Sequence, residues 1–115
     1  MLTVYQENLL TGHIVVLASG PSSPAAEAEL AHTLRVACLS GRANVFIDCR
    51  LLDSLPLAAA RRLWAFHLRQ WRRGGQVVLC HASEALRSML SEAAARVGPR
   101  LRYAATLDAA DQLCS

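Results

Sequence analysis

The 115-residue sequence predicts an α/β domain: a mixed, mainly parallel sheet that opens with an antiparallel hairpin and is covered by helices. Three observations predict it. Short β-type runs alternate with segments of helical periodicity. Val45-Phe46-Ile47 and Val77-Val78-Leu79 carry no polar interruption, as strands buried on both faces do. The first two β-type runs are separated only by a short loop. The expected order is ββαβαβαβα in one domain spanning residues 1–115, with right-handed crossovers between the parallel strands.

Leu2 to Tyr5 and His13 to Ala18 are the hairpin strands, with Asn8 and Gly12 in the loop between them. Ser23-Pro24 supplies a cap and a first-turn proline. Leu30, Leu34, Ala37 and Cys38 then repeat at helical spacing until Gly41 ends the run. Ala43 to Cys49 is the central strand, and Asp48 marks where the chain is expected to leave the core. Ser54 is expected to cap the next helix, because Pro56 is tolerated only in a first turn. That helix runs to about Arg73 and presents Leu63, Trp64, Leu68 and Trp71 for burial.

Gly74-Gly75 stops it, and Gln76 to His81 forms the next buried strand. Ser83 starts a helix whose Leu86, Met89, Leu90, Ala93 and Val97 line one face, with Gly98-Pro99 as its stop. A last strand from Leu101 to Ala105 leads through Thr106, another cap, into a helix from Leu107 to about Leu113. In sheets of this kind binding sites favour the carboxyl ends of the strands, which directs attention to residues 48–57 and 80–83.

Composition removes several function classes. Hydrophobic residues make up 53% of the chain and charged residues 18%, which argues for a folded domain. All twelve basic residues are Arg, so mechanisms that need a lysine amine are excluded. The absence of lysine also fits a high-GC bacterial source. The net charge of +3 is modest and its arginines concentrate between Arg61 and Arg73, a solvated helix face more than a nucleic-acid footprint. That face is alternatively a contact for an acidic partner. Cys38, Cys49, Cys80 and Cys114 form no CxxC pair, which fits a reduced cytoplasmic chain. No basic, apolar leader opens the sequence, and no apolar run approaches the ~18 residues of a membrane span.

The familiar catalytic signatures fail in turn. Neither GxGxxG nor GxxxxGK[ST] follows a strand, no GxSxG elbow occurs, and no HExxH pair exists. Cys49, Cys80 and His81 lie at strand ends and offer two thiols and an imidazole, the donor set of a zinc site, but without ligand spacing. Ser54 is a cap in one reading. In another it displays a hydroxyl at a helix N-terminus, where a phosphate would meet free amides and the positive end of the helix dipole.

The segment from Asn44 to Leu63 resembles the STAS domains of bacterial anti-sigma factor antagonists. So does the run Arg73-Gly74-Gly75-Gln76-Val77-Val78-Leu79-Cys80, with the helix from Ser83 to Leu90 and the closing Thr106-Leu107-Asp108-Ala109-Ala110. Members of that family carry an Asp at the end of the third strand and an Asp-Ser-Ser/Thr-Gly-Leu motif opening the next helix. Asp48 matches the first, and Asp53-Ser54-Leu55-Pro56-Leu57 occupies the second. Leu55 stands where the phosphorylated residue would be and Pro56 where the glycine would be, in a loop about three residues shorter than the family's. A competing register places Phe46-Ile47-Asp48-Cys49 on the motif. It starts the helix near Leu51 and puts Pro56 inside it, at a cost of ~3 kcal/mol.

The resemblance implies a STAS-like module that binds a protein rather than an enzyme. It docks on an anti-sigma factor or kinase through Asp48, Asp53, Ser54, Leu55, Pro56 and Leu57. In that set Asp48 and Asp53 shape the loop, Ser54 is a candidate relocated phosphoacceptor and Leu57 anchors the helix. No cofactor, metal, nucleic acid or membrane span is expected, and the expected location is the cytoplasm. Loss of the phosphoacceptor points alternatively to a non-phosphorylated accessory subunit of a transporter or other complex. The third alternative is a small Cys/His metal-binding protein.

Overall fold

A computed structural model describes residues 2–8, 12–19, 23–93 and 100–114. In chain order these form β1 (Leu2–Asn8), β2 (Gly12–Ala18), α1 (Pro24–Leu39), β3 (Asn44–Leu51), α2 (Leu57–Arg72), β4 (Gln76–Cys80), α3 (Glu84–Ala93), β5 (Arg102–Ala104) and α4 (Leu107–Cys114). The strands make one sheet in the order β1-β2-β3-β4-β5. β1 is antiparallel to β2 and the other four strands are parallel. A mixed, mainly parallel sheet with an opening hairpin and four helices is the fold class that the alternation of periods predicts. The far end of the predicted third helix, including Val97, and its Gly98-Pro99 stop lie outside the described residues.

Side-chain alternation along the strands divides the core in two. Val15, Leu17, Val45, Ile47, Cys49, Val77 and Leu79 face α1, α2 and α3, and Leu34, Leu63, Phe66, Leu86 and Leu90 pack on them. Ile14, Phe46, Val78 and Cys80 face the other way, where Ala110 of α4 closes over them. β3 and β4 are thus covered on both faces, which is why their sequences are continuously apolar.

Three of the helices begin as their sequences dictate. Ser23, Ser83 and Thr106 each accept a first-turn amide proton on the side-chain oxygen, from Ala26, Leu86 and Ala109 at 3.0–3.1 Å. α2 does not. Its N-cap is Pro56, with no side-chain cap, so the expected capping role of Ser54 is corrected: Ser54 lies two residues too early.

The buried face of α2 also differs from the expected stripe. Ala59, Ala60, Leu63, Phe66, His67 and Gln70 are buried, whereas Trp71 is 55% exposed. The sheet fixes one arc of the helix, and Trp71 lies about 100° round from Gln70. Trp64 is half-buried and donates its indole N–H to the Leu90 carbonyl at 2.8 Å, tying α2 to α3.

Gly74 takes φ +81°, the left-handed conformation that ends α2, and Gly75 passes so close to Ala43 that a Cβ would lie 2.0 Å from its carbonyl oxygen. That oxygen also accepts from the Gln76 amide at 2.9 Å and the Gln70 side chain at 3.3 Å. The end of α2 and the start of β4 are thereby held beside the chain that enters β3.

Candidate functional site

β3 runs two residues beyond the expected strand end. Asp48, placed by sequence where the chain leaves the core, is instead inside the sheet and 2% exposed. It pairs with Val16 of β2 and Cys80 of β4, and its side chain points to the α4 face of the sheet. Past Asp48 the β2–β3 ladder shifts register: Val16 pairs with Asp48, but Ala18 pairs with Leu51. Such a bulge leaves backbone groups without ladder partners.

Asp48 supplies one of the missing acceptors. Its Oδ1 takes the Arg50 amide proton at 3.0 Å, and Oδ2 takes a guanidinium N–H of Arg50 at 3.2 Å. This is an Asx-type local bond reinforced by an ion pair. The carboxylate therefore shapes the strand end from within, while Arg50 lies exposed outside it.

The bulge delivers the chain into the loop 52–56, which is tied down at several points. The Leu52 amide donates to the Cys49 carbonyl at 3.0 Å, and the Ser19 amide to the Leu51 carbonyl at 3.0 Å. The Asp53 amide donates to Ser19 Oγ at 2.7 Å. Leu52 and Leu55 insert into the core, Leu55 with only 2% exposed. Asp53, Ser54, Pro56 and Leu57 remain at the surface.

The six site residues singled out by sequence therefore fall into two groups. Asp48 and Leu55 are internal supports, and Asp53, Ser54, Pro56 and Leu57 are displayed. Leu57, expected to anchor α2, is 56% exposed, and burial of Leu55 just before the helix does the anchoring instead. Leu51, which the sequence reading passed over, is 54% exposed on the other side of the loop. The clue lay in the pair Leu51-Leu52: one buries and its neighbour must point outward. Beside the loop, Leu55, Leu57 and Ala60 line an open groove of about 380 Å³ with Met89 and Glu92 of α3. The surface combines two exposed leucines, a hydroxyl and a carboxylate, on a strand end and loop pinned by the buried Leu52 and Leu55.

The helix start at Leu57 also separates the two registers considered for the motif. Cys49, Arg50 and Leu51 belong to β3, so no helix begins near Leu51.

Cys49 and Cys80 do not combine into a metal site. Cys49 belongs to the core layer under α1 to α3 and Cys80 to the layer under α4. Burial, with smaller contributions from neighbouring thiols and Asp48, pushes both thiols up to about 12. They stay protonated at neutral pH and behave as small apolar side chains. Among the described residues no group of three or more His, Cys, Asp or Glu is arranged to hold a metal ion. His81 has φ 57°, and its amide donates to the Ala104 carbonyl at 3.3 Å, joining the ends of β4 and β5. No helix among the described residues is long and apolar enough to cross a membrane.

No protein-family model matches the sequence, and no curated protein matches it. Among solved structures, the fold is similar to that of a serine-to-glutamate variant of RsbS from Moorella thermoacetica, a STAS-domain anti-sigma factor antagonist. The TM-score is 0.78 at 13% sequence identity, over 96% of this chain and 93% of that one. At that identity the likeness is one of fold, and it agrees with the resemblance carried by residues 44–63 and 73–110: the chain has a STAS-like fold.

Proposed function

We propose that this protein is a non-enzymatic interaction module of the bacterial cytoplasm. It docks on a regulatory partner, an anti-sigma factor or kinase, through the displayed part of residues 48–57. The observation that carries this reading is the pair of exposed leucines, Leu51 and Leu57, on either side of a loop pinned by Leu52 and Leu55. Exposed apolar residues on a rigid support, rimmed by polar ones, are what a protein interface uses. The STAS-like fold, shared with an anti-sigma factor antagonist, supports the class of partner.

Leu55 occupies the position that the resemblance gives to the phosphorylated residue. A buried leucine there leaves nothing to phosphorylate, and Ser54, one residue earlier and exposed, is the remaining hydroxyl of the loop. Burial of Leu55 also favours a second reading, a constitutively docked accessory subunit of a transporter or other complex.

Co-purification from the source organism tests both. The tagged wild-type protein is expected to retain an anti-sigma factor or kinase, and Leu57→Asp to release it with an unchanged circular dichroism spectrum. Recovery of a membrane complex instead establishes the second reading. A partner indifferent to Leu57→Asp and Leu51→Asp removes the loop as the docking surface. Intact-mass analysis with peptide mapping across residues 51–61 then decides whether Ser54 carries a phosphate.

A further inference from the structure

α1 and α2 lie side by side on the sheet and leave a groove of about 220 Å³ between them. Its floor is apolar: Leu34 and Phe66 are buried, and the small side chains of Ala31 and Ala65 create the depression. Its rim is cationic, with Arg35 on α1 and Arg62 and Arg69 on α2. None of these three arginines makes an ion pair or hydrogen bond among the described residues.

Local sequence explains why they are unneutralised. On a helix a carboxylate three or four residues away would compensate each of them. The residues at those distances are Ala31, His32, Cys38 and Leu39 for Arg35, and Ala58, Ala59, Ala65 and Phe66 for Arg62. For Arg69 they are Ala65, Phe66, Arg72 and Arg73. No residue of α2 is acidic. An arginine face that only solvated the helix would not need an apolar trough between two of its guanidinium groups and a third on the neighbouring helix.

We propose that this groove is a second docking site, separate from the 48–57 loop, for an acidic peptide segment of a protein partner. One apolar side chain of that segment enters the trough while flanking carboxylates meet Arg35, Arg62 and Arg69. The volume falls below the ~300 Å³ at which small-molecule sites begin, which sets aside a cofactor or metabolite and suits a single peptide side chain. Phe66 presents almost no ring surface, so the groove offers no platform on which a nucleic-acid base stacks. Arg62 and Arg69 are two turns apart, ~10 Å along the axis, a span over which a short peptide places two carboxylates. Guanidinium groups bind carboxylates as a two-pronged fork, so the contact has geometry as well as charge.

The test titrates the full chain with a short peptide of Glu and Ala around one central Leu, followed by amide chemical shifts. The expected result is perturbation centred on Ala31, Leu34, Ala65 and Phe66. The double variant Arg62→Glu/Arg69→Glu weakens binding about tenfold, as reversing two surface charges at a contact does. The control Arg61→Glu/Arg100→Glu makes the same change in net charge outside the groove, three or four residues from none of its arginines, and stays near the wild-type affinity. Arg35→Glu, on the opposite wall, gives an independent loss should the double variant fail to fold.

Equal weakening by the two pairs overturns the proposal, since only the general positive field of the protein would then be at work. Equal binding of a peptide without the leucine overturns it as well. So does a single-stranded oligonucleotide that occupies the groove more tightly than the peptide. None of these outcomes bears on Leu51 and Leu57, so failure here leaves the loop reading to its own test.

Discussion

A carboxylate buried beside a broken ladder is destabilising unless its oxygens are occupied, and both oxygens of Asp48 are. The same side chain restores the hydrogen bond that the bulge takes from Arg50. Asp48→Ala is therefore expected to lower unfolding free energy by ~1 kcal/mol in urea titrations, because a part-buried amide loses its acceptor. Asp48→Asn keeps a carbonyl oxygen for that amide and is expected to lose less. The cysteines behave oppositely, as packing atoms. With Cys49 and Cys80 pushed up to about 12, neither is expected to react with a thiol reagent at pH 8 in the native protein, and both react once it is unfolded. Mass mapping of the modified peptides checks this, and native labelling of Cys80 would mean that the layer under α4 opens readily.

The elements were legible in the sequence where two signals agreed. Ser23-Pro24 and Thr106-Leu107 combine a cap with a helical pattern, and both start a helix as expected. At residues 53–57 the signals conflict: Ser54 is the better capping residue, but the bulge in β3 lengthens that strand and the N-cap falls at Pro56, with the helix starting at Leu57. A parallel-strand bulge has no clear sequence signature, so the extension to Leu51 and the burial of Asp48 could not be read in advance. Trp71 misled for another reason. Its size suggests burial, whereas the sheet contacts the arc defined by Ala59, Leu63, Phe66 and Gln70. The difference between real and apparent caps is measurable. Ser23→Ala is expected to cost ~1 kcal/mol of stability, and Ser54→Ala less than ~0.5 kcal/mol, by thermal or urea unfolding. A Ser54→Ala loss as large as that of Ser23→Ala would restore Ser54 as a cap.

Over the whole molecule, the sheet separates support from display. The buried layers support β3 and its bulge, and the end of β3, the loop 52–56 and the first residue of α2 carry Leu51, Asp53, Ser54 and Leu57 outward. His13, buried on β2, links this packing to pH. Burial first, and then the charge of Arg42, hold its pKa below the ordinary 6.5. The folded state thus takes up a proton less readily than the unfolded chain. Stability is fully present above pH 6.5 and is expected to fall as pH drops from there through the lower folded value. His13→Asn is expected to flatten that part of the profile, as read by urea midpoints across the pH range.

The docking face of the whole molecule is tested most directly by a photo-crosslinking residue placed at position 57 in cells of the source organism, with position 113 as the control. Leu113 of α4 is comparably exposed but lies on the other side of the sheet. A discrete adduct with one protein at 57 and none at 113 is the predicted result. An adduct at 113 alone would contradict the account and move the docking surface to the α4 face.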